Sequence, residues 1–263
     1  MRGPIALVGS GEYLPQMEST DRILLEHVGG GAARVVILAT AAGLEPPASP
    51  QRWTRMGVEH FARLGALATP VRILVRDDAF DPHWLPLLEA ADFIYFSGGS
   101  PQHVIQTLEG SPAWDVIRAR HAAGAVLAGC SAGAMAFGAL TVQPRALWRR
   151  GDGGGSGAPV WSPALGVLGR AIVLPHFDRM ASRMGRESLA LLAAAVPAGL
   201  TLIGVDEDTA LVRVCDGNGS PSDGSRRWHV MGRQGVSIFT ADGQVRHAAG
   251  NSVMLDLDGV EPD

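Results

Sequence analysis

The chain has 263 residues, 46% hydrophobic and 18% charged, with a formal net charge of −4, two cysteines and 34 glycines. All 22 basic residues are arginine, and without a lysine amine or ammonium, Schiff-base, pyridoxal phosphate, Ser-Lys and Walker-type phosphate-loop chemistry is excluded. The mild negative charge supplies no basic footprint for nucleic acid or an anionic membrane, and Cys130 and Cys215 are too few for a disulfide framework or a CxxC metal cluster.

The first predicted element is a strand over Ile5 to Val8, ended by Gly9. This apolar stretch is shorter than a signal-peptide core, and no later run approaches the roughly 20 residues of a membrane span, so a cytoplasmic protein is expected. Gly9-Ser10-Gly11-Glu12 looks at first like a dinucleotide loop, but Leu14 stands where the third glycine is needed. Helices are predicted over Met17 to Val28 and Trp53 to Leu64, and strands over Val35 to Leu38, Val71 to Val75 and Phe93 to Phe96. Helices over Pro101 to Leu108 and Pro112 to Ala122, a strand over Ala125 to Ala128 and a helix opening at Ser131 follow. Residues 142–168, with the run Gly151-Asp152-Gly153-Gly154-Gly155-Ser156-Gly157, read as a long mobile loop, and 216–226 as a second. Ile172 to Leu174 reads as a strand and Arg179 to Ala195 as a helix. Beyond Thr201 come short strands over Leu202 to Val205, Ala210 to Val214, Trp228 to Met231, Val236 to Phe239 and Val253 to Leu257, expected to extend or edge the same sheet. Continuous apolar strands separated by helices predict a mainly parallel sheet covered on both faces, a three-layer α/β/α architecture. No repeat or linker divides the chain, so one domain over residues 1–263 is expected.

Chemistry concentrates in the segment Ala125 to Met135, where an apolar strand runs into Gly129-Cys130-Ser131-Ala132-Gly133 and then a small-residue helix. Small residues on either side let the chain make a strained strand-to-helix turn that lifts the middle hydroxyl off the sheet, so Ser131 is the expected nucleophile. Cys130, one place earlier, should point away from the site as a buried small residue. Of eight histidines, His176 follows a strand at its C-terminal end, where open α/β sheets place their sites, and is the candidate base. A base needs an acceptor to hold one tautomer. Asp206, Glu207 and Asp208, directly after another strand, offer three, and a solvated turn or a divalent-cation site would use the same residues. Phe96-Ser97-Gly98-Gly99 brings a strand into a glycine turn whose backbone N–H, together with that of Ala132, can stabilise an oxyanion.

In that order, Gly98-Gly99, Gly129 to Gly133, Leu174-Pro175-His176-Phe177 and Gly204 to Ala210 make the chain resemble the serine peptidases of family S51, which contains aspartyl dipeptidases and cyanophycinase. The resemblance spans roughly residues 4–214 and implies a fold related to the class I glutamine amidotransferase domain. It implies Ser131 as nucleophile, His176 as general base and Glu207 as the third member of a Ser-His-Glu triad, with Gly99 and Ala132 forming the oxyanion hole. Spacing alone does not choose Glu207 over its two neighbours. The implied activity is hydrolysis of small peptides through an acyl-enzyme, as a dipeptidase-like exopeptidase, without cofactor or metal and with a homodimer as the expected assembly. Leu174-Pro175 replaces the Asp-Gln pair that precedes the histidine in cyanophycinase, which weighs against cyanophycin itself. Gln102, Arg179 and Arg183 are the substrate-binding candidates, the arginines as carboxylate forks. The alternatives are an amidotransferase-like amide hydrolase using Cys130 or Ser131, and a non-catalytic ligand-binding protein on the same fold.

Overall fold

The computed structural model of the protein describes residues 2–142, 159–214, 226–240 and 243–259. Strands β1 (Ile5–Val8), β2 (Arg34–Leu38), β3 (Leu67–Val71), β4 (Phe93–Phe96) and β5 (Val126–Cys130) run parallel in the order β1-β5-β4-β2-β3. The inner strands β1, β4 and β5 are buried along their whole length, as strands covered on both faces must be. One face carries α1 (Glu18–Glu26) and α2 (Ala48–Arg63), with Leu24, Leu25 and Phe61 packed against Val35, Ile37 and Tyr95. The other carries α3 (Leu85–Glu89), α4 (Pro101–Leu108) and α5 (Pro112–Ala122), whose Leu88, Val104, Leu108, Trp114 and Ile117 are buried with Ile94 and Phe96. The α/β class with a mostly parallel sheet between helical layers is therefore as expected.

Local signals explain where α4 and α5 begin. Ser100 and Ser111 accept the backbone N–H of His103 and Trp114, and Pro101 and Pro112 occupy the first helical position, where a missing N–H costs nothing. The third strand lies earlier than Val71 to Val75. It is an edge strand, largely uncovered, so it accommodates Thr69 and Pro70, while the more apolar Ile73 is buried beyond its end.

Short helix α6 (Ala132–Ala136) leads into β6 (Gly138–Val142), which begins a second sheet with β7 (Trp161–Pro163), β8 (Leu168–Leu174) and β9 (Thr201–Val205). Helix α7 (Phe177–Ala194) connects β8 to β9 and is interrupted at Gly185, where φ is 75°. Strands β10 (Thr209–Arg213) and β11 (Arg227–Gly232) are followed by β12 (Gly235–Thr240), β13 (Gly243–Ala248) and β14 (Ser252–Met254). Only β10, β11 and β14 extend the first sheet, antiparallel beside β1. β9, β12 and β13 belong to the second, ordered β13-β12-β9-β8-β6-β7, which corrects the expectation of one continuous sheet. An apolar run shows that a strand is buried, not which sheet it joins. Alternation along β8 and β9 covers both faces of this second sheet: Val173 and Ile203 enter the same core cluster as β1 and β4, while Ile172, Leu174 and Leu202 meet Met180 and Leu192 of α7.

The stretch 142–168 is also more structured than expected at its ends. Trp161–Pro163 pairs with β6, and Leu168 opens β8. The glycine run 151–157, Asp152, Cys215 and most of 216–226 lie outside the described residues. Among the described residues no helix is long and apolar enough to cross a membrane.

Candidate active site

The site lies where the two sheets meet. β5 of the first sheet delivers Ser131 at the turn into α6, with φ 50° and ψ −109°, backbone that a non-glycine residue occupies only under strain. The turn closes because its neighbours are glycine. A Cβ on Gly129 would come within 2.5 Å of the Gly133 backbone, and one on Gly133 within 2.8 Å of Phe96 Cβ. β8 of the second sheet delivers His176, also at positive φ (51°), as the residue preceding α7. Glu207 sits in the turn from β9 to β10, where the chain crosses from the second sheet to the first.

These three side chains form one hydrogen-bonded line. Ser131 Oγ lies 2.9 Å from His176 Nε2, and His176 Nδ1 lies 2.9 Å from Glu207 Oε1. Glu207 is held on every side. Its Oε2 is 2.6 Å from the Arg179 guanidinium, its N–H donates to Asp178 Oδ1 at 3.0 Å, and its carbonyl accepts from Thr209 Oγ1 and Gln234 Nε2. Asp178, although partly buried, is kept below the usual carboxylate range because the Glu207 N–H and the Gln234 amide outweigh the burial penalty.

The neighbouring carboxylates point elsewhere. Asp206 is fully buried, pairs with Arg246 and accepts the Gly235 N–H; burial pushes its carboxyl up despite the arginine. Asp208 accepts from Gln16 Nε2 at 3.0 Å, and its N–H donates to Ser10 Oγ. With the three carboxylates divided among different partners, no group of three or more His, Cys, Asp or Glu among the described residues is placed to hold a metal.

Gly99 has φ 144°, and a Cβ there would come within 2.3 Å of the Ala41 carbonyl oxygen, so the turn beside Ser131 requires glycine. The Gly99 and Ala132 N–H groups have no hydrogen-bond partner among the described residues. The Gly98 N–H is taken, 3.0 Å from Glu12 Oε1. Gln102 donates from Nε2 to the Val142 carbonyl at 3.3 Å, which ties α4 to the end of β6, and Arg183 lies exposed on α7, one turn beyond Arg179.

A cavity of about 310 Å³ opens on Ser131 and His176, lined also by Glu12, Glu45, Arg52 and Trp53. None of these four was singled out from the sequence. Glu12 follows the C-terminal end of β1, the kind of position that identifies His176, but in the sequence it stands only in a glycine loop that fails as a dinucleotide motif at Leu14. Arg52 and Trp53 lie in a helix whose pattern reads as ordinary amphipathicity. Cys130 is fully buried and donates from Sγ to Glu12 Oε2 at 2.9 Å; burial first, and the Glu12 charge second, push its thiol well up, away from the nucleophilic thiolate.

The sequence model of peptidase family S51 matches residues 5–219, a span that contains every element of this site. The chain belongs to peptidase family S51. Cyanophycinases of Trichormus variabilis and of a Nostoc species are each 29% identical to the S51 chain over 243 residues, covering 89% of it and 72% of their own length. The crystal structure of a peptidase from an acI-B1 actinobacterium is 31% identical, with a TM-score of 0.81, over 97% of the S51 chain and 98% of that protein. Membership makes the S51 chain a hydrolase of the serine peptidase class.

Proposed function

We propose that the protein hydrolyses small peptides through Ser131, His176 and Glu207, as a dipeptidase-like exopeptidase. The observation that carries this reading is the unbroken line from Ser131 Oγ through the His176 ring to Glu207 Oε1, with 2.9 Å at both steps. In this mechanism Ser131 Oγ attacks the scissile carbonyl carbon as its proton passes to His176 Nε2. Glu207 holds the Nδ1–H tautomer and stabilises the imidazolium. The Gly99 and Ala132 N–H groups, without a partner among the described residues, donate to the oxyanion. His176 then protonates the leaving amine, and water, activated by the same ring, releases the acyl group from Ser131.

The cavity volume supports a substrate of a few residues, since sites of this size sit at the small end of ligand pockets. Two relatives are named cyanophycinase, but Leu174-Pro175 before His176 favours a peptide other than cyanophycin. Gln102, Arg179 and Arg183 are the candidates for contact with it. The buried Cys130 thiol, bonded to Glu12, favours Ser131 over Cys130 as nucleophile and so disfavours the amidotransferase-like alternative.

The test is a dipeptide library with Asp-X and X-Arg members, together with a fluorophosphonate label. Wild type should be labelled and should turn over at least one dipeptide; Ser131→Ala should lose labelling and roughly 10³-fold or more of kcat/KM. Equal turnover by Ser131→Ala would sink the assignment.

A further inference from the structure

The loop after β1 joins three of the segments that make up the site, the Gly98–Gly99 turn, the end of β5 and the Asp206–Asp208 turn. Gly9 lies so close to the acid turn that a Cβ would come within 2.0 Å of the Asp206 carbonyl oxygen, and a Cβ on Gly11, at φ 83°, would come within 2.5 Å of Asp208 Oδ1. These glycines serve contact with the Asp206–Asp208 turn, not the approach of a phosphate. Ser10 and Gln16 add side-chain bonds to Asp208, and the Gly9 N–H donates to the Thr209 carbonyl at 2.9 Å. Anchored in this way, the loop directs Glu12 into the interior beside Ser131.

Glu12 is 7% exposed. A buried carboxylate is costly unless its oxygens are hydrogen-bonded, and here each oxygen accepts one bond from a different segment. Oε1 takes the Gly98 N–H and Oε2 the Cys130 S–H. Gly98 precedes Gly99, and Cys130 stands two residues before Ala132. One carboxylate therefore spans the two chain segments whose next N–H groups without a partner among the described residues are those of Gly99 and Ala132. The spacing is tight: from the Gly98 Cβ position, Glu12 Oε1 is 3.2 Å away and Ser131 Cβ 3.3 Å.

We infer that Glu12 is a positioning residue that fixes the Gly98–Gly99 turn against the end of β5, setting the distance between the two backbone donors. This rests on the reading of Ser131 as nucleophile. The role depends on the length and acceptor of the side chain more than on its charge. A glutamine keeps the length and one acceptor for the Gly98 N–H, and the Cys130 sulfur can accept weakly from its amide. An aspartate keeps the charge but is one methylene short of bridging both segments.

The experiment compares Glu12→Gln with Glu12→Asp, two changes mild enough to leave the fold in place, in backbone hydrogen exchange over residues 97–101 and in kcat and KM on the best dipeptide. For Glu12→Asp we expect exchange at 97–101 to quicken by about tenfold and kcat to fall by roughly 10- to 100-fold with KM nearly unchanged, approaching the loss of an oxyanion donor. Glu12→Gln should stay within about threefold of wild type in both. The inference is overturned if Glu12→Asp leaves exchange at 97–101 unchanged. It is also overturned if Glu12→Asp stays active while Glu12→Gln fails, or if the loss lies in KM for both, since charge or substrate-ammonium binding would then be the role. Exchange reads the turn whether or not the protein turns over substrate. A wild type that neither labels nor hydrolyses would count against the peptidase reading alone.

Discussion

Arg179 is drawn in two directions by what it touches. As a candidate carboxylate fork it would reach for substrate, yet its guanidinium lies 2.6 Å from Glu207 Oε2, and it is absent from the residues lining the cavity at Ser131. The arginine side chain is 66% exposed, so the ion pair itself stabilises little. Its effect is to leave Glu207 only one free way to turn, with Oε1 on His176. Arg179→Ala should accordingly lower kcat about three- to tenfold, with KM for Asp-X dipeptides unchanged and the melting temperature within about 2 °C; a rise in KM confined to Asp-X substrates would instead make Arg179 a substrate fork. The same turn shows what a sequence can and cannot reveal about a residue. Ser131 and His176 are legible because each stands alone at the end of a strand in a recognisable frame. Three adjacent carboxylates are not separable by spacing, because the partners that divide them, Arg246 for Asp206, His176 and Arg179 for Glu207 and Gln16 for Asp208, are distant in the chain. Glu12 is hidden for a related reason: its partners Gly98 and Cys130 lie 86 and 118 residues away.

At the scale of elements, the strand-to-helix turn at Ser131 depends on two close approaches by glycine, not on the serine. Gly133 lies against Phe96, whose Cβ, backbone carbon and oxygen would all fall within 3.4 Å of a Cβ at this position, and Phe96 is itself held in β4 between β2 and β5. A methyl group there must push β4 and α6 apart. Gly133→Ala is expected to cost about 1–3 kcal/mol, lowering the melting temperature by roughly 2–10 °C, and to slow fluorophosphonate labelling as Ser131 shifts. Unchanged melting and labelling would show that the turn tolerates the methyl. Elements with their own start signals, such as Ser-Pro at α4 and α5, are readable to the residue. The edge strand β3 is not, because partial exposure removes the apolar run that marks a strand. Nor is α6, only five residues long, distinguishable in extent from a longer helix by its Gly and Ala content.

The whole molecule places its site between two sheets and a buried histidine, His121, at the far end of the first. That division was illegible from one-dimensional pattern, since strands of both sheets read alike, although the α/β class and parallel core were legible from alternation alone. Ser131 follows the C-terminal end of β5; His121, at the end of α5, is bonded through Nδ1 to the Ala125 carbonyl at 3.0 Å, just before β5 begins, and its own carbonyl accepts the Gly3 N–H. Burial, then the positive charges of Arg213 and Arg2, push His121 down to about 4, against the pull of the Ala125 carbonyl and Asp258. In the unfolded chain it returns to about 6.5. A depressed histidine keeps the folded state neutral, so as pH falls from 6.5 the unfolded state takes up the proton first and stability declines until about pH 4, where the folded state also protonates. The full effect is roughly 3 kcal/mol. Asp21 and Asp206, raised by burial, act in the opposite sense above the ordinary carboxylate value. Asp92, whose burial penalty is outweighed by the Arg34 hydrogen bonds, loses its contribution only below 3.8. The contribution of His121 is therefore read as a difference between proteins. His121→Gln retains a donor for the Ala125 carbonyl and cannot titrate. Its melting temperature should fall less than that of wild type between pH 6.5 and 4, by roughly 6–12 °C over the window, and the two curves should run parallel below pH 4. Because this edge lies at the opposite end of β5 from Ser131, kcat/KM at pH 7 should stay within about twofold of wild type; parallel melting curves throughout the window would show that another group carries the acid response.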